Sequence, residues 1–302
     1  MSGAELLTER AEIMGLQFQK GSNPSGSCRL LGCADGRIAL NMARDDDWGL
    51  MSAWLETDKD VSDWDTLHGL LSIKPALHLT QRGREIGLAI GLDQAPKPVS
   101  TPYNIEQLGQ KSPHNQDPLI VDLSSLWAGP LAGRLLASMG GRVIKAESLS
   151  RQDGARRGNA EFFERLNSMK ESQMFDLQSK QSLEGFKAII TKADIVIEAS
   201  RPRALRQMGI IAEDLIAARP GKVWLSLTAY GRNEPHGNWV GFGDDVAVDA
   251  GLSFEKDYIC GDAIADPLTG ICGALTAWKA WQDGGGCLID LSMRNVVSHA
   301  LC

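Results

Sequence analysis

Residues 118–147 constrain the fold of this chain more than any other part of the sequence. The apolar runs 119–121 and 143–144 each predict a short buried strand, and apolar residues between them recur every three or four positions, which predicts a helix. A Gly-Pro pair precedes this helix and a Gly-Gly pair follows it. The stretch therefore predicts a strand–helix–strand unit with two parallel strands. Because such units bind ligands at the carboxyl ends of their strands, the loop 124–130 is the first candidate binding site.

The rest of the chain divides by pattern into three parts. Strand and helix patterns alternate from residue 118 onwards, which is typical of an α/β fold with a mainly parallel sheet and helices on both faces. Residues 1–92 instead combine a hairpin around Asp35-Gly36 with several short helical patterns, which predicts a small N-terminal α+β domain. Residues 93–117 are rich in Pro, Gln, Asn and Ser and predict a linker. The larger domain is then predicted at 118–302.

The acidic run 45–47 precedes a helical pattern that contains Trp48, Met51 and Trp54. We interpret this run as the cap of a solvated helix and not as a metal site. Asp63 is predicted to begin the next helix.

Composition and charge exclude several classes of function. The chain has 302 residues, of which 43% are hydrophobic and 23% charged, so a sizeable core is expected. The formal net charge is −7, whereas a nucleic-acid-binding protein usually presents a basic face. No signal peptide and no run of about 18 apolar residues is recognised, so neither secretion nor a membrane is expected. These features predict a cytoplasmic protein.

The chain contains six cysteines, which are Cys28, Cys33, Cys260, Cys272, Cys287 and Cys302. None lies in a CxxC pair, so a zinc site is not expected. We expect free thiols in a reducing compartment and no bound metal.

Three predicted strands end in polar or glycine-containing loops, at 124–130, 199–206 and 227–231. In a parallel sheet these loops share one edge. The second loop carries three arginines that are able to hold phosphates, although a solvated basic turn is the simpler explanation of them. A dinucleotide site is not supported, because the turn after the first strand reads AGPLAG and lacks GxGxxG.

Asp266 is the carboxylate of most interest. It stands just before Pro267 and a long apolar pattern, which predicts that it is the N-cap of a helix. The backbone N–H groups of a helix start also keep a carboxylate ionised, as nucleophilic attack on an activated acyl group requires. The two interpretations are compatible, and no Ser-His-Asp or Cys-His set is suggested by the five histidines.

Six motifs in order resemble those of the class III CoA-transferases, the family of formyl-CoA and crotonobetainyl-CoA transferases. They are DLSSLWAGPLAGRLLASMGGRVIKAE, NSMKESQMFDLQS, ADIVIEASRPRALRQMGI, LSLTAYG, ADPLTGICGALTAWKAW and GGGCLIDLSM, and they span about residues 118 to 300. The resemblance implies a Rossmann-like domain that moves CoA between an acyl-CoA thioester and a free carboxylic acid. It implies coenzyme A as the cofactor, in the form of the acyl-CoA substrate, and no metal.

The resemblance also implies roles for individual residues. Asp266 matches the aspartate that forms a covalent CoA thioester. The positions that match CoA contacts are Trp127, Ala128, Phe175, Asp176, Leu177, Gln178, Ala199, Ser200, Arg201, Arg206, Leu227, Thr228, Ala229, Tyr230 and Gly231. Backbone amides near Tyr230 and Gly231 are candidates for stabilising the charged intermediates.

Several positions depart from the family's pattern. Residues 168–172 lack the usual arginine, Ala199-Ser200 replace the usual Asn-Phe, and Gln207 stands where an arginine often grips phosphate. The segment 28–91 resembles the end of the family's small domain, yet it comes first in this chain.

These departures leave alternatives open. The chain is either an active homodimer or depends on a partner chain that supplies missing segments, and a non-catalytic CoA-binding subunit is the main alternative. A racemase is disfavoured because the stretch 241–244, GFGD, lacks the histidine of that branch. A dinucleotide oxidoreductase is the least supported.

Overall fold

The computed structural model describes residues 3–114 and 116–301. The chain forms two compact units, each assembled from separate segments. The first unit comprises Met1–Pro102, Asn233–Asp266 and Met293–Cys302, and the second comprises Tyr103–Arg232 and Pro267–Ser292.

The strands are β1 Cys28–Gly32, β2 Arg37–Asn41, β3 Ala89–Asp93, β4 Tyr103–Gln107, β5 Leu119–Asp122, β6 Arg142–Ser148, β7 Glu171–Phe175, β8 Ile195–Glu198, β9 Val223–Thr228 and β10 Cys287–Ser292. The α-helices are α1 Gly3–Met14, α2 Met51–Leu55, α3 Trp64–Leu71, α4 Ala76–Glu85, α5 Ala128–Ser138, α6 Ala160–Asn167, α7 Lys180–Lys192, α8 Pro202–Gln207, α9 Ala212–Ala218, α10 Gly243–Asp249, α11 Ala265–Gln282 and α12 Met293–Ala300. No helix in these described ranges has the length and apolarity needed to cross a membrane.

The second unit is built on a seven-stranded sheet in the order β4-β10-β9-β8-β5-β6-β7. Strands β5 to β10 pair in parallel with one another, and β4 pairs antiparallel with β10. The strand–helix–strand unit predicted at 118–147 is confirmed as β5, α5 and β6, with Leu119 paired to Arg142. The strands adjacent to β5 carry apolar side chains on both faces, as strands buried on both sides require.

Helices cover both faces of this sheet. On one face, Val121 and Trp224 pack with Phe186 of α7 in a cluster that also includes residues of α8 and α9. On the other face, α11 approaches so closely that a methyl group on Gly273 would lie 3.2 Å from Leu225 Cδ2. Trp224 and Leu225, successive residues of β9, thus point to opposite faces of the sheet. Because helices cover both faces of a mainly parallel sheet, the predicted α/β class is confirmed.

The first unit contains a three-stranded antiparallel sheet in the order β1-β2-β3. The hairpin predicted around Asp35-Gly36 is confirmed, because Gly32 pairs with Arg37. Ile38 and Leu40 pack into the core formed with α2, α3 and α4. The intervening Ala39 packs instead with Val248 of α10. The sheet is therefore buried on both faces.

The structure differs from the sequence prediction in the segment 93–117. It contains a strand, β4, whose residues pair antiparallel with β10 from Tyr103↔Leu291 to Gln107↔Cys287. Residues 104–107 are exposed, and Ile105 keeps 45% of its surface accessible. An edge strand held through its backbone needs no apolar alternation, so its sequence resembles that of a linker.

The predicted extent of the larger domain also differs, because residues 233–266 and 293–302 lie in the first unit. The predicted cap at 45–47 is correct in position, because Asp46 is the N-cap residue, but it lacks the expected side-chain hydrogen bond. A 3₁₀ turn, Asp47–Leu50, precedes α2, and the side chain of Asp46 does not cap it. Asp47 is buried, and one of its carboxylate oxygens accepts a hydrogen bond from Arg44 N at 2.9 Å.

We expect Gly270→Ala to lower the free energy of unfolding by about 1–3 kcal/mol. This loss is expected even though alanine is more favourable than glycine inside a helix by about 1 kcal/mol. A methyl group there would lie 2.7 Å from the Ala128 carbonyl oxygen and 3.0 Å from Leu131 Cβ, so α11 would have to move away from α5. Urea unfolding measures the change. Gly273→Ala is the control, because its methyl group would meet only leucine side-chain ends at 3.2–3.4 Å. Equal destabilisation by both variants would contradict close packing of α5 on α11.

Candidate active site

The predicted CoA-contact stretches all follow parallel strands of the second unit. Trp127 and Ala128 follow β5, Phe175 ends β7, Ala199–Arg201 follow β8, and Leu227 and Thr228 end β9. Since these strands are parallel, their carboxyl ends lie on one edge of the sheet. Asp266 is described within the first unit.

The loop between β5 and α5 is held by buried charges. Lys145 Nζ donates to the Ser124 carbonyl oxygen at 3.0 Å, and Asp153 Oδ1 accepts from Leu126 N at 2.9 Å. Leu126 has φ +70°, a left-handed conformation that a leucine adopts only when its surroundings impose it. Trp127 then begins α5 as its N-cap and is 2% exposed. These contacts fix the backbone of the candidate binding loop.

An ion pair lies beneath this loop. Lys170 Nζ donates to Asp122 Oδ2 at 2.8 Å and also to the Pro130 carbonyl oxygen at 2.8 Å. Asp122 Oδ1 accepts from Ser124 N at 2.9 Å and from its hydroxyl. Burial opposes ionisation of Asp122, but Lys170 and Lys145 outweigh it and lower the pKa of the carboxyl to about 2. Lys170 stands in the stretch 168–172, and the structure gives it the role of partner in this buried ion pair.

Arg232 organises the next two strand ends, and sequence reasoning missed it. Its Nη1 donates to Glu198 Oε2 at 2.7 Å and to Ser226 Oγ at 2.9 Å, and its backbone N donates to Asp290 Oδ1 at 3.1 Å. It therefore ties together β8, β9 and β10. Burial raises the pKa of Glu198, although Arg232 and the Trp224 indole oppose the shift. The one feature of the sequence that could have identified Arg232 is its position directly after the LSLTAYG motif.

The loop after β9 is a tight turn. Gly231 has φ +114°, which favours glycine, and its N–H donates to Thr228 Oγ1 at 2.9 Å. The Ala229 carbonyl oxygen accepts from Ser292 Oγ at 3.3 Å. The Gly231 amide is therefore already engaged, and the prediction that it stabilises a charged intermediate is not supported in this conformation.

The arginines after β8 have separate positions. Arg201 is the N-cap of α8, and Arg206 lies in the last turn of that short helix. Arg206 Nη2 donates to Glu213 Oε1 at 2.6 Å. A phosphate would compete with this carboxylate for Arg206. On the β7 side, Gln178 N donates to Asp176 Oδ1 at 3.0 Å, which closes a turn after the strand.

Asp266 is the second residue of α11, so the predicted N-cap position is wrong by two residues. It is half-buried, and its backbone N donates to the Ala263 carbonyl oxygen at 2.8 Å. Its carboxylate lies against Gly243, where a methyl group would overlap it. The helix-start environment expected from the sequence is therefore present.

The described residues show neither a metal-ligand cluster nor a disulfide. No group of three or more His, Cys, Asp or Glu side chains there has the arrangement of a metal site. Cys28, Cys33, Cys260, Cys272 and Cys287 are free thiols. The prediction for Cys302 lies outside the described residues.

Comparison with known proteins gives consistent matches. Residues 116–301 match the sequence profile of CoA-transferase family III. A probable fatty acyl-CoA transferase from Mycobacterium tuberculosis is 34% identical over 142 residues, which are 44% of this chain and 36% of that protein. A succinate–glutarate CoA-transferase from Agrobacterium fabrum is 28% identical over 216 residues, 63% of this chain and 54% of that protein.

A third relative is named as one chain of a larger enzyme. The alpha subunit of a succinyl-CoA–L-malate CoA-transferase from Chloroflexus aurantiacus is 27% identical over 231 residues, 70% of this chain and 54% of that subunit. The chain thus spans about half the length of curated relatives that it matches.

Solved structures share the fold. A crystal structure of the mycobacterial protein matches with a TM-score of 0.56 and 29% identity, covering 62% of this chain and 57% of that one. A CaiB/BaiF family protein from Brucella suis matches with a TM-score of 0.56 and 24% identity, over 63% of this chain and 56% of that one.

Proposed function

Because this chain belongs to CoA-transferase family III, we propose that it moves CoA between an acyl-CoA thioester and a free carboxylic acid, with Asp266 as the nucleophile. The family match over residues 116–301, which includes Asp266, carries the proposal. The relatives named above transfer CoA to or from organic acids, which favours the same substrate classes here.

The proposed reaction begins with attack of an Asp266 carboxylate oxygen on the thioester carbonyl carbon of the donor. The C–S bond breaks, CoA leaves as a thiolate, and a mixed anhydride joins the acyl group to Asp266. The thiolate then attacks the aspartyl carbonyl carbon, the anhydride C–O bond breaks, and the donor acid leaves as a carboxylate. The product is an aspartyl-CoA thioester.

The acceptor carboxylate reverses these steps. It attacks the aspartyl thioester and expels the CoA thiolate, which forms a second mixed anhydride. The thiolate then attacks the acceptor's acyl carbon, which yields the new acyl-CoA and returns Asp266 to its carboxylate form. These reaction steps need no net proton transfer, no metal and no redox cofactor.

Two features of the chain support these roles. Asp266 lies in the first turn of an 18-residue helix, where N–H groups and the helix dipole favour an ionised carboxylate. The stretches proposed to contact CoA follow four strands that end on one edge of a sheet. That edge is where ligands bind in parallel α/β sheets. We propose that the Trp127-Ala128 loop and the Leu227–Gly231 loop contribute to CoA binding there.

The test is a covalent adduct. Purified protein is incubated with succinyl-CoA, acetyl-CoA or palmitoyl-CoA and its intact mass is measured, with Asp266→Ala in parallel. We expect a mass increase of one CoA on the parent, released by hydroxylamine, and none on the variant. The same adduct on Asp266→Ala would show that another residue is the nucleophile.

The second candidate is a non-catalytic CoA-binding subunit of a two-chain transferase. It is favoured by one observation, that one of the relatives is itself named a subunit of a CoA-transferase. Measurable CoA binding without an adduct from any of the three donors would favour it. A partner chain, a second copy of this chain and a cytoplasmic location stay predictions. Sedimentation of the purified chain tests for the second copy.

A further inference from the structure

The turn that precedes Asp266 has an unusual backbone. Ala263 has φ +44°, a left-handed conformation that an alanine rarely adopts, and Gly261 has φ +75°. The Ala263 carbonyl oxygen accepts the Asp266 N–H at 2.8 Å. The direction in which Asp266 leaves the turn therefore depends on whatever holds Ala263 in this conformation.

Asp244, near the start of α10, holds Ala263 directly. Its Oδ1 accepts from Ala263 N at 2.8 Å, and its Oδ2 accepts from Asn23 Nδ2 at 2.7 Å. Asn23 Oδ1 in turn accepts from Cys28 N at 3.0 Å, which anchors it to the start of β1. Asn23 and Asp244 are both nearly inaccessible, at 2% and 3% exposed. A continuous chain of hydrogen bonds thus runs from β1 to the backbone of Ala263.

The residue before Asp244 adds a steric constraint. A methyl group on Gly243 would overlap both the Ala263 carbonyl oxygen and the Asp266 carboxylate. The start of α10 therefore lies directly against the side chain that must attack the thioester. A small displacement of this helix would move Asp266, and a displacement of about 1 Å at a reacting group costs about 100-fold in rate.

We propose that Asn23 and Asp244 are positioning residues for the Asp266 nucleophile, acting through the backbone of Ala263. This inference rests on the proposed function, because it assigns the pair a role only if Asp266 reacts. Neither residue lies in a stretch proposed to contact CoA. Their loss should therefore affect the rate of acyl transfer to Asp266 and leave CoA binding unchanged.

The charge state of Asp244 makes the role dependent on pH. Burial raises the pKa of its carboxyl to about 6, with a further rise from Asp262, while hydrogen bonds from Asn23 and Ala263 N and the charge of Arg10 oppose the shift. The other ionisable groups around it are Cys28 on β1, Asp245 on α10 and Asp266 on α11. Above about pH 6 the carboxylate accepts both hydrogen bonds, and protonation below that pH removes one acceptor.

The experiment measures single-turnover formation of the aspartyl-CoA adduct, with the acyl-CoA that labels the parent. We expect Asp244→Asn to lower the maximum rate by about 10- to 100-fold, with the half-saturating acyl-CoA concentration unchanged within about twofold. The parent rate should rise with pH through about 6, and Asp244→Asn should lack this rise. A merely structural role would not move the pH profile in this way.

The exchange Asn23→Asp with Asp244→Asn provides the rescue. In that double variant the carboxylate at 23 accepts from Cys28 N and from the amide at 244, whose oxygen accepts from Ala263 N. The hydrogen-bond chain is thereby rebuilt with reversed direction between the two side chains. We expect the double variant to recover a rate within about fivefold of the parent. Asp47→Asn controls for general destabilisation, because it removes another buried carboxylate of the same unit.

The outcomes separate this inference from the proposed function. If the parent and Asp244→Asn form the adduct at the same rate, the positioning role is overturned and the proposed function stands. The positioning role is also overturned if Asp47→Asn lowers the rate as much as Asp244→Asn at an equal loss of melting temperature. It is overturned too if the exchange of Asn23 and Asp244 does not restore the rate. A parent that forms no adduct with any donor overturns the proposed function and this assignment with it.

Discussion

Asp266→Asn should lower the steady-state rate of CoA transfer by about 10⁴-fold or more, as is typical when a nucleophile is removed. The amide has nearly the shape of the carboxylate but is a poor nucleophile towards a thioester. It also keeps an oxygen that accepts hydrogen bonds at the start of α11, so the fold should persist. The measurement is kcat for transfer from the acyl-CoA that labels the parent to an added dicarboxylic acid, followed by chromatography of the CoA esters.

The matched control for this variant is Asp283→Asn. Asp283 follows the other end of α11, where it is exposed and pairs with Lys279. The same chemical change there should leave kcat unchanged. A residual rate of Asp266→Asn above about 1% of the parent would contradict covalent catalysis at this residue, since a missing nucleophile costs far more.

Lys170→Met should lower the free energy of unfolding by about 3–5 kcal/mol, because it leaves the buried Asp122 carboxylate without its ion-pair partner. The side chain of Asp122 is inaccessible, and Lys170 is its direct charged partner at 2.8 Å. The variant also removes the donor to the Pro130 carbonyl oxygen and to Asn167 Oδ1. Urea unfolding followed by tryptophan fluorescence measures the loss.

The double variant Asp122→Asn with Lys170→Met separates a stranded charge from a loss of packing. With no carboxylate left to bury, we expect it to be more stable than Lys170→Met alone. Arg142→Met is the surface control, because Arg142 and Glu171 form an exposed pair in the same unit. Its effect should be much smaller. A double variant as unstable as Lys170→Met would assign the loss to packing instead.

The sequence was most informative where local patterns decide the structure. The apolar spacing at 118–147 predicted β5, α5 and β6, and Asp63 was correctly placed as a helix cap, since its side chain accepts from Thr66 N at 2.8 Å. Both features depend on residues a few positions apart. The α/β class follows from repetition of such patterns along the chain.

The sequence was least informative where distant residues meet. Lys170 is an ordinary lysine in the sequence, and only the fold brings it to Asp122, 48 positions away. Arg232 and Asp244 have partners from several elements for the same reason. Strand β4 was missed because backbone pairing at a sheet edge leaves its side chains exposed and polar. Contacts between residues that are far apart in the chain leave no local pattern in the sequence.

The segmented first unit has a consequence for biosynthesis. The face of its sheet that carries Ala39 is covered by α10, and Asn41 Nδ2 reaches Asp245 Oδ1 across 204 positions of chain. At a translation rate of about 5–20 residues per second, the interval between these two residues leaving the ribosome is about 10–40 s. The nascent hairpin therefore spends that time with one apolar face uncovered, and this face is covered only after the intervening sheet strands have been made.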